Sequence, residues 1–171
     1  MNAPHQPRPT VDDEKPHYRG DMRCVSPDNT GFMIKMVHLS MTRALDQEMD
    51  TLDLTAMQWR PIVLVYKGAA DTPAELARLT GVDTGAMTRT LDRLEAKGLL
   101  RRTRSSEDRR VIKIELTESG REKGRQIPPY VAKVLNQHLR GFSSEEVAQL
   151  RHLLRRMLAN GSFDLPAGLP E

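Results

Sequence analysis

Arginine side chains lie among small and polar residues in two short segments of this chain. The segment TGAMTRTLDRLEAKG, residues 84–98, carries Thr88 and Arg89 near its start, and the segment SSEDRR, residues 105–110, places Asp108 two residues before Arg110. Arginine can donate two parallel hydrogen bonds to a guanine edge in the major groove, and the narrow minor groove attracts it electrostatically. The two segments therefore predict two contacts with double-stranded DNA.

The first segment has the pattern of an amphipathic helix, about 84–97. Its apolar residues are spaced four and three apart and face inward together: Met87, Leu91 and Leu94. The outward positions are then Gly85, Thr88, Arg89, Asp92 and Arg93. Small residues at Gly85 and Ala86 allow close approach to a groove, Thr88 can meet a base edge or phosphate, and the alternative is an ordinary solvated helix face.

The second segment is predicted to lie at the tip of a β-hairpin. A free arginine loses rotamer freedom when it enters the minor groove, and a carboxylate can hold its guanidinium in one orientation. We therefore expect Asp108 to orient Arg110, the alternative being that Asp108 only forms the turn. The following residues alternate like a strand, with Ile112, Ile114 and Leu116 on the face that should hold the tip to the core.

Helix-start and helix-stop signals give the elements that carry these segments. The predicted helices are a first at about 29–50, a second from Ala56 with a bend at Pro61, a third at about 73–80, and the fourth described above. Asp83 or Thr84 caps the fourth helix. Residues 117–140 should be helical in two parts divided by Pro128 and Pro129, and Ser143 with Glu146 opens a last helix.

The run from about Leu54 to Gly120 resembles the MarR family of winged helix-turn-helix transcription regulators. Its most specific pieces are MTRTLDRLEAKGLLRR at 87–102 and Asp108-x-Arg110, followed by Ile114-x-Leu116-Thr117. The resemblance implies a mainly α fold with a small β-hairpin wing, in which the fourth helix enters the major groove and Arg110 the minor groove. The DNA-binding residues predicted in this way are Thr72, Thr84, Gly85, Thr88, Arg89, Asp108 and Arg110.

Family members commonly carry serine or threonine where this chain has Gly85 and Ala86, so we expect one or two side-chain contacts with DNA to be missing here.

The predicted organisation is a flexible N-terminal tail at 1–27, a helical dimerisation region at 28–53 and 117–160, a winged helix-turn-helix domain at 54–116 and a C-terminal tail at 161–171. The first and last helices are apolar along one side, and a two-fold protein can bind two half-sites about one helical turn apart. We therefore expect a homodimer on a pseudo-palindromic operator.

The resemblance also implies control by a small ligand. Regulators of this family generally lose DNA affinity when a small aromatic acid or phenol binds between the dimer helices and the winged lobe, which predicts a repressor released by a small aromatic carboxylate. Within the family, we expect the branch that controls breakdown of aromatic or N-heteroaromatic acids such as nicotinate. The candidate effector-binding residues are His38, Met41, Trp59 and Arg60. An indole can stack on an aromatic ring while a guanidinium binds a carboxylate; alternatively, Trp59 and His38 are core residues.

Cys24 is the single cysteine of the chain and offers an alternative route, redox sensing. One cysteine cannot form an internal disulfide, which fits a cytoplasmic protein. The sequence has no phosphate-binding glycine loop, nucleophile elbow or metal-ligand spacing, so neither an enzyme, a cofactor nor a metal is predicted. No segment approaches the length of apolar chain that crosses a membrane.

Overall fold

The computed structural model describes residues 16–21, 25–104, 108 and 110–163. Its elements, in chain order, are α1 (Thr30–Asp50), α2 (Trp59–Tyr66), α3 (Pro73–Thr80), α4 (Thr84–Ala96), β1 (Leu100–Arg104), β2 (Ile112–Leu116), α5 (Glu118–His138) and α6 (Ser144–Asn160). Within the described ranges the protein is mainly helical and has one two-stranded antiparallel sheet, β1 with β2. The predicted mainly α fold with a small hairpin is confirmed.

The chain forms two compact units, one ending at Leu39 and the other beginning at Ser40. In the first unit, the Tyr18 hydroxyl lies 2.7 Å from the Thr30 hydroxyl and accepts a 2.8 Å hydrogen bond from the Thr30 backbone N–H. Part of the predicted N-terminal tail is therefore attached to the first turn of α1. The rest of that tail, residues 1–15 and 22–24 with Cys24, lies outside the described residues, as do residues 164–171 of the predicted C-terminal tail.

The core of the second unit is built from the end of α1, α2, α3, α4, the hairpin and α5. The most completely buried side chains of this unit include Met49, Ile62, Leu76, Met87, Leu91, Leu94, Ile114, Ile127 and Val134. Met87, Leu91 and Leu94 all come from α4, as the spacing predicted. Their burial fixes which side of α4 remains outside.

Helices α3 and α4 are joined by a turn of three residues. Gly81 ends α3 in the left-handed conformation, with φ 68°, which glycine adopts without the steric cost of a Cβ atom. The Asp83 carboxylate then accepts a 2.8 Å hydrogen bond from the Ala86 N–H, so Asp83 and not Thr84 is the N-cap of α4. This is a helix-turn-helix arrangement.

Helix α2 begins at Trp59, three residues later than predicted. The Gln58 side chain does accept a 3.2 Å hydrogen bond from the Thr55 N–H, but residues 56–58 form turns and not helix. Pro61 is thereby the third residue of α2, where a backbone N–H has no intrahelical partner to lose. The later start accommodates the proline and removes the reason for a bend.

Helix α5 is one continuous helix, so the predicted division at Pro128 and Pro129 was wrong. Both prolines are exposed, and the buried side chains of Ile127 and Val134 lie on either side of the pair. Packing on both sides of the two prolines therefore stabilises the helix despite their missing backbone donors.

The hairpin pairs Leu100 with Leu116 at its base and Arg104 with Ile112 at its outer end. Ile114 and Leu116 are buried, but Ile112 is 40% exposed, so the prediction that Ile112 holds the tip to the core was wrong. Its position opposite Arg104 puts it beyond the core. The hairpin is also bound to the segment just before α3, through a 2.6 Å hydrogen bond from the Ile114 N–H to the Asp71 carbonyl.

The last helix, α6, has no buried residue. The predicted capping box is confirmed, since Ser143 and Glu146 exchange side-chain and backbone hydrogen bonds of 3.2 and 2.7 Å. The large apolar side chains exposed on this helix are Leu150, Leu153, Leu154 and Met157. In α1 the corresponding set is Phe32, Met33, Ile34, Met36, Val37 and Leu39.

Candidate nucleic-acid interface

The outward side of α4 exposes Thr84, Thr88 and Arg89. The Thr88 hydroxyl donates a 2.8 Å hydrogen bond to the Thr84 carbonyl, so its proton is already used within the helix. Its oxygen can still accept a hydrogen bond from a base amino group, and its methyl can contact a thymine methyl. Thr88 is therefore arranged as an acceptor toward a base edge.

Gly85 lies between the helix cap and the candidate guanine-binding arginine. A Cβ atom added at Gly85 would meet the Asp83 carboxylate at 3.2 Å and Nη1 of Arg89 at 3.5 Å. The Arg89 guanidinium therefore extends back along α4 toward its N-terminus, over the space that the glycine leaves. The predicted role of Gly85, to allow close approach, has this geometric basis, while contact with DNA stays a prediction.

Thr72 is the N-cap of α3, and its hydroxyl is engaged with Glu75. It accepts a 3.3 Å hydrogen bond from the Glu75 N–H and donates a 2.9 Å hydrogen bond to the Glu75 carboxylate. The backbone N–H of Asp71 is the first cause that lowers the pKa of Glu75, and the Thr72 hydroxyl is the second. Thr72 thus positions the N-terminus of α3, and its predicted DNA contact remains a prediction.

The tip of the hairpin shows Asp108 in a turn-forming role. Its carboxylate accepts a 2.9 Å hydrogen bond from the backbone N–H of Arg110, and its carbonyl accepts one of 2.9 Å from the Val111 N–H. Asp108 and Arg110 are both exposed. The structure therefore shows how Asp108 fixes the backbone at Arg110, and the orientation of the guanidinium by the same carboxylate stays a prediction. Residues 105–107 and 109 lie outside the described part of the tip.

Sequence reasoning missed Arg102, which joins the hairpin to α4. Its guanidinium pairs with Asp92 at 2.7 Å through Nη2 and with Glu95 through Nη1, and its backbone N–H donates a 3.1 Å hydrogen bond to Glu95. We call Arg102, Asp92 and Glu95 the Arg102 network. The available signal was the spacing of Asp92 and Glu95, three apart on one face of α4, with arginines in the strand that follows.

The other strand is tied to the start of α3. Lys113 of β2 places its ammonium 2.7 Å from each carboxylate oxygen of Asp71. Within the hairpin, Arg101 donates to Glu115 at 2.9 and 2.7 Å, and the Thr103 hydroxyl donates at 3.0 Å to the same carboxylate. Arg101, followed by Thr103, lowers the pKa of Glu115. The hairpin therefore has an ion pair inside it, ion pairs to α4 and one to the residue that precedes the N-cap of α3.

The candidate effector residues lie in both units. The Arg60 guanidinium carbon is 5.0 Å from the centroid of the Trp59 ring, a cation–π arrangement, and Trp59 is half-buried. Desolvation lowers the pKa of Arg60, yet the residue is exposed and its guanidinium stays protonated. Met41 is half-buried in the second unit and His38 is exposed in the first. Trp59 and Arg60, which are neighbours in the chain, therefore also have their side chains in contact.

Among the described residues, no three histidine, cysteine, aspartate or glutamate side chains are grouped so as to hold a metal ion. None of the helices in the described part of the chain has the length and apolarity to span a membrane.

Comparison with known proteins shows which family this chain resembles. A model of the MarR family matches residues 52–111. The chain is 36% identical over 129 residues to the multiple antibiotic resistance protein MarR of Escherichia coli K12, covering 75% of this chain and 90% of that protein. It is 34% identical, with the same coverage, to the protein of that name from Salmonella typhimurium.

Solved structures share the arrangement of helices and hairpin. A mutant of E. coli MarR complexed with operator DNA has a TM-score of 0.70 and 32% identity, and covers 80% of this chain and 97% of that one. CouR from Rhodococcus jostii RHA1, bound to p-coumaroyl-CoA, has a TM-score of 0.66 with 24% identity over 76% of this chain and 91% of that one, a likeness of fold alone. The predicted winged helix fold is therefore confirmed.

Proposed function

The chain belongs to the MarR family of DNA-binding transcription regulators, and on that premise we propose that it is a homodimeric repressor released from its operator by a small aromatic carboxylate. Members of this family are regulators and not enzymes. A protein that binds operator DNA acts in the compartment that holds that DNA, so the proposal includes a cytoplasmic location.

The observation that carries the DNA-binding part is the exposure of Arg89 on α4 and of Arg110 at the hairpin tip, in a fold where both elements are fixed to one core. Arg89 is assigned to the major groove and Arg110 to the minor groove. Thr84, Gly85 and Thr88 form the rest of the α4 surface, while Thr72 and Asp108 position α3 and the tip.

Exposed apolar surface supports the dimer. Helix α6 buries none of its residues, yet Leu150, Leu153 and Leu154 lie on one side of it at helical spacing. A second copy that covers this surface would remove it from water, which is favourable by about 25 cal/mol per Å². Two copies related by a two-fold axis would present two α4 helices to two half-sites.

The Trp59 and Arg60 pair supports the effector part. The guanidinium covers one face of the indole, and its N–H groups point along its own plane, where a carboxylate can accept two parallel hydrogen bonds. An aromatic acid satisfies both groups, since its ring packs against apolar surface while its carboxylate meets the charge. The comparisons do not favour the redox alternative through Cys24, and we do not propose it.

Selection from random double-stranded DNA with the purified full chain tests the function directly. We expect an enriched sequence with two-fold symmetry and half-site centres about one helical turn apart. Adding a panel of aromatic carboxylates to the selected complex should identify one that releases the DNA at fixed salt. Enrichment of a site without symmetry would contradict the dimer, and release by none of the acids would contradict the effector class.

A further inference from the structure

We propose that Arg102 is a positioning residue that couples α4 to the hairpin, so that Arg89 and Arg110 meet the DNA as one rigid unit. This inference rests on the proposed DNA-binding function and adds a residue that contacts no DNA itself. The proposal is carried by the Arg102 network, which joins the two elements assigned to the two grooves.

The geometry of the network fixes both position and orientation. One guanidinium binds two carboxylates through different nitrogens, and the backbone N–H of the same residue binds Glu95. A planar guanidinium with two charged partners loses its freedom to rotate, and a lysine in its place could not make the same pair of directed bonds. The Arg102 side chain is 25% exposed, against 57% for Asp92, so the network is partly shielded from solvent and salt.

The position of Arg102 in the hairpin explains why this network matters for the tip. The base of the hairpin is held by the buried pair Leu100 and Leu116, while Arg104 and Ile112 at the outer end are exposed. Arg102 lies between these pairs, opposite Ile114, and binds α4 from the side of β1. Without these bonds the hairpin would still be held at this level on the β2 side, by buried Ile114 and its hydrogen bond to Asp71, but β1 would lose its ion pairs to α4. The tip that carries Arg110 could then change its angle to that helix.

The network also neutralises charge on the helix assigned to the major groove. Asp92 and Glu95 are one turn apart on α4, and unpaired carboxylates there would repel DNA phosphates. Loss of Arg102 would therefore lower affinity even if the wing stayed in place. A useful test must separate this general electrostatic loss from loss of wing positioning.

The test measures how much Arg110 contributes to operator affinity in two backgrounds. Fluorescence anisotropy at fixed salt gives the factor by which Arg110→Ala weakens binding in the otherwise unchanged protein and in Arg102→Gln. We expect about tenfold in the first and less than about threefold in Arg102→Gln, because a wing that is no longer positioned gains little from its arginine. Each factor compares two proteins that share one background, so a uniform effect of charge or of folded fraction cancels.

Arg101→Gln is the matched control. Arg101 lies in the same strand and makes a two-bond ion pair, but its partner Glu115 belongs to the hairpin and not to α4. In Arg101→Gln the cost of Arg110→Ala should stay near tenfold. If Arg102→Gln does not fold, Asp92→Asn combined with Glu95→Gln removes the charged partners while keeping Arg102, and the same reduction is expected.

The inference is overturned if Arg110→Ala costs the same factor in the Arg102→Gln background as in the unchanged protein. A loss of coupling in Arg101→Gln equal to that in Arg102→Gln would also overturn it, because any weakened hairpin would then suffice. Failure of the proposed function looks different. In that case Arg110→Ala has no effect in the unchanged protein, and the wing assignment falls together with this inference.

Discussion

The carboxylate of Asp108 accepts a 2.9 Å hydrogen bond from the backbone N–H of Arg110. An aspartate that bonds the amide two residues later closes a short loop of its own, which fixes the backbone at the residue that receives the bond. The Cα position of the wing arginine is therefore set by its neighbour, whatever its side chain does on DNA.

Asp108→Asn separates the backbone role from an electrostatic one. An asparagine keeps an oxygen that can accept from the Arg110 N–H but has no charge for the guanidinium, so we expect operator affinity within about twofold of the unchanged protein. Asp108→Ala removes the acceptor, and affinity should fall by about fivefold or more. Anisotropy titrations decide, and an asparagine variant as weak as the alanine variant would assign the carboxylate to aiming the guanidinium.

Arg110→Ala should weaken operator binding by about tenfold or more, because the variant lacks the guanidinium that the negative potential of the narrow minor groove attracts. The melting temperature should change little, since Arg110 is exposed. Gel-shift titration and thermal unfolding of one preparation measure both. Arg140→Ala, two residues beyond the end of α5, removes the same charge and should leave affinity nearly unchanged. An equal loss in both variants would mean that only net charge matters.

Arg60→Ala should separate DNA binding from release. The variant keeps α4 and the hairpin intact, so its operator affinity should stay within about twofold of that of the unchanged protein. The concentration of aromatic carboxylate that releases the variant from DNA should be about tenfold higher than for the unchanged protein. Lys67→Ala, which removes a cation at the other end of α2, serves as the control. Release of Arg60→Ala at the original concentration would exclude this pair as the anchor.

Acid should weaken the N-terminus of α3. The pKa of Glu75 is lowered in the folded protein, so its carboxylate stabilises the folded state above its ordinary pKa, and this contribution is lost as the pH falls through the folded-state value. Glu75→Gln should therefore cost about 0.5 kcal/mol at neutral pH, a small effect because the residue is exposed, and less at a pH below the folded-state pKa of Glu75. Urea unfolding at both pH values measures the difference, and an equal cost at both would contradict the assignment.

Gly120→Ala should destabilise the fold. A Cβ atom at Gly120 would lie 1.9 Å from the Leu99 carbonyl oxygen, so either α5 or the start of the hairpin must move. We expect a loss of about 1–3 kcal/mol in unfolding free energy, despite the better helix propensity of alanine. In Gly161→Ala the nearest atom would be the Leu158 carbonyl oxygen at 3.5 Å, and stability should be almost unchanged. Equal melting temperatures for the two variants would contradict this packing.

Local signals in the sequence determined most of the helices and the candidate DNA surface. The apolar spacing of Met87, Leu91 and Leu94 alone decides which side of α4 is outside, because burying that stripe leaves one orientation. Capping residues such as Ser143 and Asp83 likewise mark helix starts through bonds to amides only three residues away. Such short-range interactions depend only on residues that are close in the sequence, so the sequence alone predicts them.

The tertiary structure decided what depends on residues far apart in the chain. It showed α5 continuous through Pro128 and Pro129, because burial on either side outweighs two missing donors. It also paired Arg102 with Asp92 and Glu95, and one of several neighbouring arginines could be chosen only after β1 was placed against α4. Which charges meet depends on how elements pack, and packing is set by the whole core and not by any single segment.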